Sequence, residues 1–288
     1  MRLDRVAAAP ISWGVCEVTG WGKQLEPSLV LEQMRDLGLT ATEFGPVGFL
    51  PAEPSAKAAL LKSYGLRAVG GFLPVLLHEE AHDPLPVVDA YIDGCLAAGA
   101  EVVVLAAHSG GNGYDSRPLL DDARWKTLLA ALDKVFEHAG SRGVVATLHP
   151  HVGTVVESAE DVRRVLERSS IGLCLDTGHL LVGGTDPLAL AQEHADRVAH
   201  VHLKDVDATL SDRVLAGDLA FGAAVAQRLF RPFGTGDVDI AAIVGTLETA
   251  GYGGWYVLEQ DVMLADRDVD TPRADVATCL DYLKGVPA

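Results

Sequence analysis

Eight short apolar runs alternate along this 288-residue chain with longer amphipathic stretches, and that alternation constrains the fold more than any other feature. The runs span residues 6–14, 41–45, 66–75, 101–107, 144–150, 171–177, 198–205 and 255–260. Helix-like segments follow them at 27–37, 54–63, 85–98, 117–142, 159–168, 187–196, 240–250 and 272–284. Runs of this length that are apolar almost throughout suit strands buried on both faces of a parallel sheet. Eight such βα units in one chain of this length predict an α/β protein, a closed (β/α)8 barrel, which typically needs about 250 residues. A doubly wound open sheet is disfavoured, because no GxGxxG or GxxxxGK[ST] turn follows an early strand. No linker-like stretch divides the chain, so residues 1–288 are expected to form one domain. The long connection from 206 to 238 departs from the pattern: 210–229 reads as helix, and Phe230-Arg-Pro-Phe-Gly-Thr-Gly-Asp237 as an extra loop.

Composition narrows the partners. Against 23 Lys+Arg stand 40 Asp+Glu, a formal charge of −17, and no basic cluster interrupts the excess. That argues against nucleic acid and against an anionic membrane surface, both of which require clustered cations. No apolar run is long enough for a membrane span or a secretory signal, which predicts a cytoplasmic protein. Cys16, Cys95, Cys174 and Cys279 form no CxxC pair and are expected to be reduced core residues.

In a parallel barrel the chemistry is built where strands end. Here the runs end in Ile11-Ser-Trp-Gly-Val-Cys-Glu17, Thr42-Glu-Phe-Gly-Pro46, Leu148-His-Pro-His151, Leu175-Asp-Thr-Gly-His179, His200-Val-His-Leu-Lys-Asp205 and Leu258-Glu-Gln-Asp261. Five of the ten histidines, His149, His151, His179, His200 and His202, fall in these segments together with Asp176, Asp205 and Glu259. Imidazole mixed with carboxylate and lacking thiolate is a donor set for a divalent ion. Residues two apart share a strand face, so His200 and His202 should point the same way, as should His149 and His151 if the strand continues that far.

The ordered segments ISWG, TEFGP, LHPHVGTVVES, CLDTGHL, HVHLKD and VLEQD resemble the sugar isomerase/epimerase superfamily with its xylose isomerase-like TIM barrel, and within it the inosose dehydratase group. The resemblance implies a divalent metal (Mn, Co, Fe, Mg or Zn) held by His149, Asp176, His202 and Glu259. Many members carry glutamate where this chain has His149. That substitution removes one of two carboxylates that would exchange protons on opposite faces of a substrate carbon, and so favours elimination. The implied activity is a hydro-lyase acting on a keto-polyol such as inosose (2-keto-myo-inositol), with Glu259 or Glu43 as base and His151, His179 or Lys204 as acid. Trp13, Glu17, Glu43, His151, His179, His200 and Lys204 are the implied substrate contacts. Rival readings are an isomerase or epimerase of a ketose or keto-inositol and a non-catalytic sugar-binding barrel. The apurinic-site endonuclease branch conflicts with the charge. Related barrels often form dimers or tetramers, which leaves a homo-oligomer open.

Each candidate also has a plainer reading. Asp176 precedes Thr-Gly as a helix N-cap would. Lys204 and Asp205 could form an ordinary ion pair, and Glu259 could be a solvated strand end. His151 and Glu157 compete with His149 for the strand-five position. Trp21, Phe72 and Trp255 read as packing residues, and Trp13 could be one as well.

Overall fold

The computed structural model describes residues 3–265 and 268–287. A separate antiparallel pair, Asp205–Val206 with Phe230–Arg231, lies outside the barrel sheet, whose strands, in chain order, are Val6–Ala8, Ala41–Thr42, a third in two pieces (Arg67–Ala68 and Gly70–Val75), Val102–Ala107, Val145–Leu148, Gly172–Asp176, Val198–Leu203 and Tyr256–Leu258. All pair in parallel, and the sheet starts at one piece of the third strand and ends at the other. Arg67–Ala68 pairs with the second strand and Gly70–Val75 with the fourth, so the broken strand closes the barrel. Gly70 is at the break: its φ is +149°, and a β-carbon there would collide with the Val102 carbonyl.

Helices Pro27–Asp36, Pro54–Ser63, Leu85–Ala98, Asp122–Ser141, Ala159–Arg168, Pro187–His194, Ile240–Thr249 and Thr271–Gly285 surround the strands. Ser158 caps Ala159–Arg168 through a reciprocal pairing with Asp161. The outward strand residues, Val103, Leu105, Leu148, Leu173, Leu175, Val201, Leu203 and Leu258 among them, pack under these helices in one large core. Inside the barrel a small cluster of Ala7, Ala9, Ala41, Val69 and Val257 fills the lower layer.

Several expected boundaries move for physical reasons. The first strand stops at Ala8 because Pro10 has no N–H to donate, and Pro10–Trp13 forms a 3-10 turn. The fourth helix begins at Asp122, not 117, because Asp121 caps it and Pro118 lies before the cap. The expected helix 210–229 is two, Ala208–Leu215 and Phe221–Ala226, on either side of Gly217. A six-residue helix, Thr177–Val182, starts directly on the sixth strand. No helix among the described residues is long and apolar enough to cross a membrane.

Candidate active site

The period of two carries a continuous inward row along each strand and past its end. On the seventh strand the row is His200, His202, Lys204; on the eighth, Val257, Glu259, Asp261; on the sixth, Cys174 and Asp176; on the fifth, Thr147, His149 and then His151 in the loop. Register places Asp176 beside His202 and His202 beside Val257, so these rows converge. All of these residues are buried.

His149 Nε2 lies 3.1 Å from Asp176 Oδ2. His202 Nδ1 lies 3.5 Å from that same oxygen and 3.2 Å from Glu259 Oε2. Lys204 Nζ reaches Asp176 Oδ2 (3.2 Å), Glu259 Oε2 (2.9 Å) and Asp261 Oδ1 (2.9 Å). Below them, Glu43 Oε1 pairs with His200 Nε2 (2.8 Å) and His202 Nε2 (3.0 Å).

Asp176 caps a helix and faces the cluster at once. Its Oδ1 accepts from the backbone N–H groups of Gly178 (2.9 Å) and His179 (2.8 Å) and caps the short helix, while Oδ2 faces the cluster. Lys204 and Asp205 do not pair. Asp205 accepts instead from the backbone N–H groups of Val206, Gly234, Gly236 and Val238, which anchors the Gly-Thr-Gly-Asp loop. Glu157 also lies apart, bound to Gly153 N and Arg117. Among the three strand-five candidates, His149 is therefore the one in contact with Asp176.

The electrostatics follow from this packing. Burial opposes charge on Asp176, but the Lys204 ammonium together with His179, His149 and His202 outweighs it and holds the carboxyl well below its ordinary range. Burial likewise opposes ionisation of Glu259 and Glu43. The charge of His202 overrides it in both cases, helped by Lys204 at Glu259 and by His200 at Glu43. Lys204 resists burial because Asp176, Asp261 and Glu259 surround it, and its pKa is raised. His149, His151, His179 and His200 are lowered by burial and are neutral. His202 is raised despite burial, with Cys174, Glu259 and Glu43 around it.

Ligand atoms of His149, Asp176 and His202 lie within 4.8 Å of one another, with Glu259 at the edge of the group. A divalent cation fits this set on two grounds. His202 Nδ1 is buried and has no hydrogen-bond partner among the described residues, though it faces two carboxylate oxygens. The buried carboxylates Glu43, Asp176, Glu259 and Asp261 also outnumber the cations beside them, Lys204 and His202. Nitrogen and oxygen donors together suit Zn²⁺, Mn²⁺, Fe²⁺ or Co²⁺.

Above this floor opens a cavity. Its lining includes Glu17, Glu43, His149, His151, His202, Lys204, Glu259 and Asp261, with Ile11, Val15, Trp21, Phe72, Tyr114 and Phe221 as walls. A family model described as xylose isomerase-like TIM barrel matches residues 31–284. The chain belongs to that family. It is 30% identical over 270 residues to an inosose dehydratase of Geobacillus kaustophilus (89% of this chain, 87% of the relative). It is 33% identical over 272 residues to the rhizopine catabolism protein MocC of Rhizobium meliloti (89% and 81%). The crystal structure of IOLI protein with a binding zinc atom superposes with a TM-score of 0.68 at 15% identity, covering 98% of this chain and 97% of that one.

In this xylose isomerase-like barrel some expected contacts lie elsewhere. Trp13 is fully buried, bonds Gln33 Oε1 at 2.8 Å and is absent from the cavity lining. His179 and His200 are not lining residues either. His179 stacks on His151 at 3.7 Å between ring centroids, and His200 lies under Glu43. Trp21 and Phe72, read as packing residues, line the cavity, whereas Trp255 packs against Arg67. Cys95, Cys174 and Cys279 are buried free thiols, while Cys16 is on the cavity wall. Two residues went unassigned in the sequence. Asp261 could have been found by extending the inward row two positions beyond Glu259. Tyr114 lies in a loop without periodicity, where no sequence signal marks it.

Proposed function

We propose that the chain is a metal-dependent hydro-lyase that removes water from a cyclic keto-polyol, inosose being the fitting substrate class. The observation that carries this reading is the Glu259–Lys204 pair, 2.9 Å apart on the cavity floor, facing an imidazole, His149, where a second carboxylate would serve proton exchange. A carboxylate base beside an ammonium donor matches the needs of an elimination. The inosose dehydratase of Geobacillus kaustophilus supports the substrate class, and the zinc atom in the IOLI structure supports the metal.

His149, Asp176, His202 and Glu259 are the metal's holders in this reading, and when bound it supplies Lewis-acid stabilisation of charge developing on the ketone oxygen. Glu259 removes the proton from the α-carbon. The C–H electron pair becomes the new C=C bond as the β-hydroxyl departs, and Lys204 Nζ protonates the leaving oxygen to give water. The enol then tautomerises to the dione. Asp261, 2.9 Å from Lys204, holds the ammonium in place. His151 donates Nδ1–H to the Val152 carbonyl (2.7 Å), which leaves Nε2 as a neutral acceptor for a substrate hydroxyl. Incubation of metal-loaded protein with 2-keto-myo-inositol should yield a product one water lighter with dione absorbance. Product of conserved mass would instead establish the isomerase reading.

Glu43 acts in this scheme through His202. By accepting Nε2–H it would leave Nδ1 as the nitrogen that gives up its proton to hold a metal. Glu43→Gln is expected to weaken metal affinity about 10–100-fold, measured by competition with a chromophoric chelator. Unchanged affinity would remove Glu43 from this role.

A further inference from the structure

The cavity lining has a second polar group. Where the lining comes to the surface, exposed Glu17 from the first βα loop meets half-buried Tyr114 from the fourth, and the Tyr114 hydroxyl donates to Glu17 Oε1. The Tyr114 ring lies 4.5 Å from the His151 ring, so the ring packs on a lining imidazole while the hydroxyl reaches Glu17. Burial, with the Glu17 carboxylate beside it, pushes the phenol well up and keeps it a donor.

This seat is built by several contacts. Gly153, at φ +76°, lies so close that a β-carbon there would run into the Tyr114 backbone. Asp115 accepts from Gly222 N at 3.1 Å, and Arg117 bonds the Val155 carbonyl (3.0 Å) and Asp161 (2.7 Å). The rest of the lining is largely apolar, with Ile11, Val15, Phe72 and Phe221 among it.

We propose that Tyr114 and Glu17 form a specificity station that holds the distal hydroxyls of a ring polyol whose ketone end lies on the floor; this rests on the keto-polyol reading above. A ring polyol carries hydroxyls at both ends and C–H surface between them. The cavity offers polar groups on its floor and where it comes to the surface, with a largely apolar lining besides. Glu17 accepts from a pair of neighbouring hydroxyls, and Tyr114 fixes the carboxylate and contributes its own oxygen. An open-chain ketose presents no second end at a fixed distance, so the station selects for rings.

The test compares metal-loaded wild type with Tyr114→Phe, Glu17→Gln and the double variant. Calorimetric binding of myo-inositol, which carries no ketone, is read beside kinetics on 2-keto-myo-inositol. Each single variant is expected to weaken myo-inositol binding about tenfold, the scale of one lost hydrogen bond, and to raise KM far more than it lowers kcat. Metal content should not change. The double variant should bind no worse than the weaker single, because the two act as one unit. Wild-type turnover together with a Tyr114→Phe variant of unchanged affinity overturns the station alone, as do losses that multiply in the double variant. Wild type that binds the cyclitol without dehydrating the ketone, with the expected losses in the variants, supports the station and overturns the dehydratase reading. Wild type that binds no cyclitol overturns both.

Discussion

Asp176→Ala should strip the protein of metal and lower kcat/KM by about 10³-fold or more, the scale on which removal of key electrostatic groups is felt. The effect is large because the two carboxylate oxygens serve different structures. Oδ1 caps Thr177–Val182 through the N–H groups of Gly178 and His179, and its loss costs about 1 kcal/mol. Oδ2 lies 3.1 Å from His149, 3.5 Å from His202 and 3.2 Å from Lys204, so its loss empties the middle of the cluster. Asp176→Asn separates the two contributions, since the amide oxygen can still cap the helix while the charge is gone. Elemental analysis of both variants should find them metal-poor, and thermal unfolding should find the Asn form the more stable. An Asn variant with full metal content would refute the ligand assignment.

The βα alternation revealed the barrel, and the period of two along its strands accounts for which side chains the structure brings together in the cluster. His200 and His202 fall on one face because the strand runs regularly through Leu203, and both meet Glu43 as that geometry requires. The expectation weakened wherever the inward row outlasted its strand. Asp261 lies three residues beyond Leu258, where regular pairing has stopped, yet it remains in phase with Glu259. Phe72 is in phase with Gly70 on the third strand and faces the cavity, although an aromatic residue in an apolar run gives no local sign of which side it takes. Trp13 goes the other way. The resemblance implied a substrate contact, but the turn begun by Pro10 directs it into the core against Gln33, as its packing alternative had it. The partners of Lys204 were not legible at all, because adjacent Asp205 is on the opposite side of the strand and the true partners come from the sixth and eighth strands. Tyr114 depends on close approach between two loops, a tertiary fact that leaves no periodic trace.

Lys204→Met should divide the cluster's stability from its chemistry. The methionine keeps most of the aliphatic stem that packs under Gly178, so the lost group is essentially the ammonium, which lies over the Phe230 ring. Without it Asp176, Glu259 and Asp261 keep only His202 as a buried cation beside them, and removing one side of a buried charge cluster costs about 3–5 kcal/mol. In chelator-treated protein this corresponds to a Tm lower by roughly 6–20 °C, taking about 2–4 °C per kcal/mol for a domain of this size. Added Mn²⁺ or Zn²⁺ should return most of the loss, because a divalent ion neutralises the same oxygens and binds only the folded chain. Wild type, which carries its own ammonium, should lose much less Tm on chelation. Activity should not return with stability: if Lys204 protonates the leaving hydroxyl, the metal-restored variant stays about 10²–10⁴-fold slower in kcat. A chelated Lys204→Met protein as stable as wild type would show that the ammonium does not balance these carboxylates. A stable, metal-loaded variant of full activity would assign the proton donor elsewhere, with His151 the next cavity-lining group in position.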